Sequence, residues 1–354
     1  AIYNTAVGTS AGRLITTGVQ NTLMGGLAGD ALTDADSNVA VGYLSLSTNV
    51  LGSRNTAVGE SALFATNPDS ASNTYNTALG YHAGRLISTG GANTLIGGLA
   101  GDAQTTAANS TAVGYAALGA TTTGSNNTAI GKEALDANTT GSENVGVGVG
   151  ALGANTTAAN NVAVGVNALL ANTTGTQGTA VGRNAGLANT TGNYNTFIGD
   201  GSGDANTTGA SNTAIGQDSL GANTTGATNT ALGSSALDAN TTASNNTAVG
   251  ASALIGNTTG TRNTALGNNA GDNITTGQAN TAIGSSSMLG GTAITGSDNV
   301  AVGSWHDGVI EGPLAALTSG YKNVAISVGS LKANTTGYHN TAVGYASLGA
   351  NTTG

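Results

Sequence analysis

One aliphatic residue returns at a nearly constant interval along the chain: Val7, Met24, Val41, Val58, Leu79, Ile96, Val113, Ile130 and onward to Val343. Each sits in the phrase N-T-A-[V/I/L]-G-x-x-A-[L/G]-x-x-N-T-T-G-x-x, which occurs in twenty copies from Asn4 to Asn340. Sixteen of the nineteen intervals are seventeen residues; the others are 21 (Asn55 to Asn76), 19 (Asn280 to Asn299) and 24 (Asn299 to Asn323). A fixed period of this size is the signature of a solenoid. The apolar run is too short for two helical turns. Gly closes it at column five, and the N-T-T-G that follows is turn chemistry. Each unit therefore predicts two short strands, T-A-V-G and the A-L segment, joined by tight turns. Stacked units make parallel strands about 4.8 Å apart, and twenty of them a rod of roughly 95 Å. The expected fold is all-β: a parallel β-solenoid of about twenty 17-residue coils. It forms one repeat shaft over 1–354, with insertions at 64–75, 289–298 and 304–322.

The copies act as an internal alignment. Column four is Val, Ile, Leu or Met in all twenty, so it is expected to point into the core. Column three lies on the opposite face of the strand. It is Ala in most copies, Gly146 once, and large only at Leu23, Leu95 and Phe197. A solvent-facing column would collect Lys, Glu and Ser. Both faces are therefore expected to be buried, the second by a partner chain. Column nine is Leu in eleven copies, Met288 once and Gly in seven; in four of those seven an aliphatic residue stands at column twelve (Ile15, Leu32, Ile87 and Ile274). That pattern predicts one cavity filled from either of two backbone positions, as close packing demands. Gly101, Gly186 and Gly203 lack the compensation. Asn at columns one and twelve predicts amide ladders between coils. The variable columns six, seven, ten, eleven, sixteen and seventeen carry nearly all the charge and are expected to face solvent.

Composition narrows the function classes. Of 354 residues 58 are Gly, only 7% are charged and 3% aromatic, against about a quarter charged in an ordinary domain. There is no Cys, so no disulfide framework and no thiolate metal site. No apolar stretch approaches the length of a membrane-spanning helix, so no membrane insertion is expected. The net charge is −9 with eight scattered basic residues, which disfavours nucleic acid. No signal peptide is recognised at AIYNTAVG, and the sequence is expected to be a piece of a longer chain.

Apparent catalytic motifs dissolve into the repeat. Gly8-Thr9-Ser10-Ala11-Gly12 fits G-x-S-x-G, but its glycines and Ser fall on repeat columns. Gly146-Val147-Gly148-Val149-Gly150 lacks the helix and acidic residue of a nucleotide loop. No enzyme activity, cofactor or metal is expected. Ice binding ranks third among the readings, because the Thr columns form no T-x-T strand face. The one departure from monotony is 304–322, SWHDGVIEGPLAALTSGYK, with Trp305, His306, Asp307, Tyr321 and Lys322. Insertions in a solenoid map to loops, and loops carry function. These five residues are the candidate receptor or partner contacts. The loop is expected to stand off the rod, and the competing reading is that Trp305 folds back to seal the longer coil. Phe64, Pro68 and Tyr75 are a weaker second candidate, and His82 and His339 read as plain surface residues.

The phrase NTAIGKEALDANTTGSEN at 127–144 resembles two related families. One is the head of trimeric autotransporter adhesins, whose period is usually shorter. The other, which it resembles more closely, is the repeat shaft of bacteriophage tail fibres of the marine or cyanophage type. The resemblance covers essentially all twenty copies. It implies a left-handed β-roll assembled as a homotrimer. It also implies a virion-tail shaft that holds a receptor-binding end away from the particle, with a host receptor or glycan and other fibre or baseplate proteins as partners. The alternative is a bacterial surface adhesin head that binds host directly.

Overall fold

The structure, a computed structural model, describes residues 2–290, 292–304 and 311–354. It is all-β, with no helix among the described residues. The chain resolves into two compact units, Ala1–Gln177 and Gly178–Gly354. Each contains ten coils, and each coil contributes one three-residue strand at columns two to four, such as Thr128–Ile130 in the first unit and Thr213–Ile215 in the second. Within each unit the strands pair in parallel and in register. Thr128 lies opposite Val145, Ala129 opposite Gly146 and Ile130 opposite Val147, while Thr213 lies opposite Thr230.

The A-L segment is not the second strand that the turn pattern predicted. It is a run of turns whose column-nine residue has left-handed backbone. Leu118, Leu135 and Leu254 have φ of 55°, 52° and 52° and are fully buried. Left-handed backbone costs a non-glycine residue about 1–2 kcal/mol. Burying a Leu side chain returns about 1.5–3 kcal/mol. Burial wins, which is why Leu and Gly alternate in one column.

The two strand faces are assigned the other way round from the sequence expectation. Column three is the core: from Leu23 to Ala342 it is buried in every coil. Column four is the outside. Met24, Leu79, Ile130, Val164 and Leu266 are 49%, 48%, 41%, 37% and 50% exposed, and no column-four residue is buried. The reason is volume. The interior of a seventeen-residue coil already holds the column-nine Leu and the Asn side chains, so a methyl group is what fits beneath the strand.

Cavity compensation does occur, by one more route than the sequence disclosed. A Cβ on Gly271 would lie 2.9 Å from Cδ1 of Ile274, and one on Gly29 would lie 2.8 Å from Cδ1 of Leu32. For Gly101 the filler is the large column-three residue of its own coil, Leu95, 2.9 Å from the same hypothetical atom. Phe197 occupies the corresponding space above Gly203. Leu95 also reaches Gly84 in the preceding coil, so one side chain fills two layers.

Two buried Asn columns lace the coils together. At column twelve the amides form a direct ladder: Asn223 Nδ2 donates to Asn206 Oδ1 at 2.7 Å and Asn240 Nδ2 to Asn223 Oδ1 at 2.8 Å. Each Nδ2 also reaches its own coil's column-fifteen carbonyl, as Asn223 does to Gly226 at 3.0 Å. At column one the main link uses backbone instead. The N–H of Asn144 donates to Asn127 Oδ1 at 3.0 Å, and Asn127 Nδ2 donates to the carbonyl of Gly141 at 2.8 Å. Buried amides are costly unless paired, and from Asn189 to Asn257 each column-twelve rung pairs with its neighbour. Column five is left-handed as expected, with Gly216 at φ 134° and Gly250 at φ 135°.

Candidate interaction surfaces

In each unit the outward strand face presents two side-chain columns. Column two, Thr or Val, is half-buried or exposed, and column four is aliphatic throughout. Parallel in-register stacking repeats this pair once per coil, so each unit carries an unbroken aliphatic stripe ten coils long. Column six, two residues further on, is polar or charged in some copies, as at Lys132, Arg183 and Asp200, and exposed aromatic or aliphatic in others, as at Tyr43, Tyr81, Tyr115, Val149 and Val166. The apolar strip is therefore broader where column six is aromatic or aliphatic and has a polar border where it is charged.

The Thr columns divide by role. Column-thirteen hydroxyls are used between coils, as where Thr139 Oγ1 donates to the Thr156 carbonyl at 3.0 Å and Thr207 Oγ1 to the Thr224 carbonyl at 2.9 Å. Column fourteen is an exposed single row. Column-two Thr shares its face with aliphatic side chains, so no T-x-T face forms.

The 24-residue interval divides unexpectedly. Leu314 takes over the column-nine role, with φ 54°, full burial and an N–H that donates to the Ser330 carbonyl at 3.2 Å. Leu317 fills the column-twelve space, and Thr318 Oγ1 makes the usual column-thirteen bond to the Thr335 carbonyl at 3.0 Å. The extra residues therefore fall before Pro313, and Tyr321 and Lys322 occupy ordinary columns sixteen and seventeen. This corrects the assignment of both to the projecting loop. Trp305, His306 and Asp307 lie outside the described residues.

Tyr321 and Lys322 have partners that sequence reasoning missed. Tyr338 and His339 occupy the same two columns one coil on. The Tyr321 and Tyr338 rings stack with centroids 5.1 Å apart and planes 3° from parallel. His339 stands edge-on to both, at 5.7 Å and 5.5 Å. Lys322 Nζ lies 5.9 Å from the Tyr321 ring centroid. Tyr321 is 40% and Tyr338 55% exposed. His339 is thus part of a cluster rather than an isolated surface residue. The signal was present in the alignment, since column sixteen is aromatic only in these two adjacent copies.

The weaker candidate does not assemble. Pro68 is buried against Gly52 (a Cβ there would lie 3.1 Å from Pro68 Cδ), and Phe64 is half-buried. Tyr75 is exposed and accepts from Arg54 Nη1 at 3.2 Å. The 64–75 insertion instead adds a small parallel pair, Gly52–Ser53 with Ser72–Asn73.

Charges are arranged between neighbouring coils. The phrase at 3–31 recurs at 75–103, and with it recurs an ion pair: Arg13–Asp30 at 3.8 Å and Arg85–Asp102 at 2.9 Å. Arg183 pairs with Asp200 at 2.7 Å. Burial, together with neighbouring carboxylates, raises Asp136, Asp204 and Asp238 above the ordinary carboxylate range, and burial pushes Asp272 up to about 6. Among the described residues no group of three or more His, Cys, Asp or Glu is placed to hold a metal, and no helix is long and apolar enough to cross a membrane. Compared with known proteins, the chain matches no family model and no curated sequence.

Proposed function

We propose that this chain is the shaft of a homotrimeric fibre, of the tail-fibre type, that holds a receptor-binding end away from a virion. The observation that carries this reading is the aliphatic column four, exposed or half-buried in every coil yet never polar in twenty copies. Covering the exposed part of one such side chain is worth about 1 kcal/mol. Ten coils in a unit give on the order of 10 kcal/mol, against an association cost of about 4–15 kcal/mol that falls once per complex. Repetition tips the balance toward association. A second copy of the chain is the natural occupant, because its own stripe has the same coil spacing. The number three rests on the resemblance to tail-fibre shafts and trimeric adhesin heads.

The second reading, a bacterial surface adhesin that touches its host along the repeat, is favoured by one observation, the exposed Tyr321–Tyr338 stack. The shaft reading is tested by sedimentation equilibrium. The parent chain is expected at three times its 33.7 kDa subunit mass. The triple variant Val113→Thr, Ile130→Thr, Val147→Thr, which keeps β-preferring side chains, is expected to weaken association while retaining its circular dichroism. A parent that stays monomeric at high concentration ends the proposal.

A further inference from the structure

The cluster of Tyr321, Lys322, Tyr338 and His339 joins two stacked tyrosines to a lysine and a histidine, whereas the Tyr81–His82 stack and the Arg54–Tyr75 contact are single pairs. The repeat supplies its own control. The other seventeen members of column sixteen are small, polar or aliphatic, and none is aromatic. A Tyr pair in adjacent coils is therefore not needed to build a coil. Nor does it seal one, since the rings are 40% and 55% exposed.

What such a cluster attracts follows from its electrostatics. The rings face one another across 5.1 Å, so each covers the other's inner, electron-rich face. The edges of an aromatic ring are its positive part, and each Tyr adds a hydroxyl donor. Lys322 adds a full positive charge and makes no ion pair among the described residues. His339 adds ring N–H capacity beside both rings. Asp298, one coil back in the column of Lys322, is the nearest acidic member of that column. The sum is a small patch of donors and one firm cation on a chain of net charge −9.

That balance selects among anions. A densely charged polyanion needs clustered Lys and Arg, and the acidic chain would repel it. A ligand rich in hydroxyls with an isolated carboxylate fits better. Its carboxylate would meet Lys322 in a charge-assisted contact, its hydroxyls the Tyr and His groups, and its apolar C–H face the outer Tyr surface. We propose that this cluster is a binding site for an acidic saccharide, a sugar-acid unit of a surface polysaccharide. The inference rests on the cluster alone and does not require the trimeric shaft.

The experiment is a calorimetric titration of the full chain with aldotetraouronic acid, one uronate on three neutral xylose units, with maltotetraose and tetraglutamate as controls. Saturable binding of aldotetraouronic acid is expected, about five- to tenfold weaker in Lys322→Gln and lost in Tyr338→Ala, with neither control matching it. Circular dichroism checks that the variants remain folded. If Tyr338→Ala does not fold, Tyr338→Phe and Lys322→Gln decide, and both must weaken binding. Four results would each overturn the proposal: no binding to the parent, equal binding of maltotetraose, equal binding of tetraglutamate, or parental affinity in the Tyr variants. A monomeric parent that still binds aldotetraouronic acid would remove the shaft and leave the site.

Discussion

Asn223 donates its side-chain amide to Asn206, seventeen residues earlier, across 2.7 Å of fully buried interior. Each amide also donates to its own coil's column-fifteen carbonyl, Asn223 to Gly226 and Asn206 to Gly209. Replacing Asn223 by Ala removes a rung and strands Asn206 Oδ1, while Asn240 Nδ2 loses one of its two acceptors and the Gly226 carbonyl keeps its bond from Asn212 Nδ2. The expected loss is about 2 kcal/mol, because buried polar atoms left unpaired cost more than the bond they made. Chemical denaturation, followed by the shift in midpoint, measures it.

Gln104 interrupts the same column and should respond in the opposite sense. It is fully buried, and neither Oε1 nor Nε2 has a hydrogen-bond partner. Its coil has Gly101 at column nine, the arrangement that accepts Ile or Leu at column twelve elsewhere. Gln104→Leu should therefore stabilise by about 1–2 kcal/mol, by relieving an unpaired amide. A fall in the melting temperature would show that the amide is satisfied after all.

Gly216 at column five is held by two independent constraints, although Ser327 takes the same column in one copy at φ 96°. Gly216 has φ 134°, and a methyl group there would lie 2.5 Å from the Gly233 carbonyl oxygen. Gly216→Ala must strain its backbone and push neighbouring coils apart. A cost of about 3 kcal/mol or more is expected, against about nothing for Gly98→Ala. There the added atom would meet only Tyr115 Cδ2 at 3.7 Å, and φ is not left-handed. Paired thermal melts of the two variants make the comparison.

Mild acid should favour the fold. Asp272 binds its proton more tightly when folded, with its pKa pushed up to about 6 by burial, than when unfolded, where it is about 4. Below about pH 4 both states are protonated. As pH rises from about 4 to about 6 the unfolded chain ionises first, and stability falls. Above that window the penalty is constant. Half-exposure keeps the effect small. Asp272→Asn should flatten the melting temperature between pH 4.5 and 7.5, and an unchanged slope would place the titration elsewhere.

Much of this protein was legible in the sequence because a repeat is its own alignment. The period gave parallel coils in register, since identical phrases stack only by matching columns. Gly at column five announced its left-handed backbone, and the Gly271–Ile274 exchange announced a shared cavity. The same columns place Tyr338 beside Tyr321, although the seven added residues before Pro313 hid that register. What only the tertiary structure decided was direction. Alternation along a strand separates Ala129 from Ile130 but does not say which is inside. Interior volume decides it: Leu135, held at φ 52°, and the ladder at Asn138 already fill the coil, so alanine goes in and isoleucine goes out. Local propensity could not foresee a leucine in left-handed backbone, because the burial that offsets its strain comes from packing across the coil.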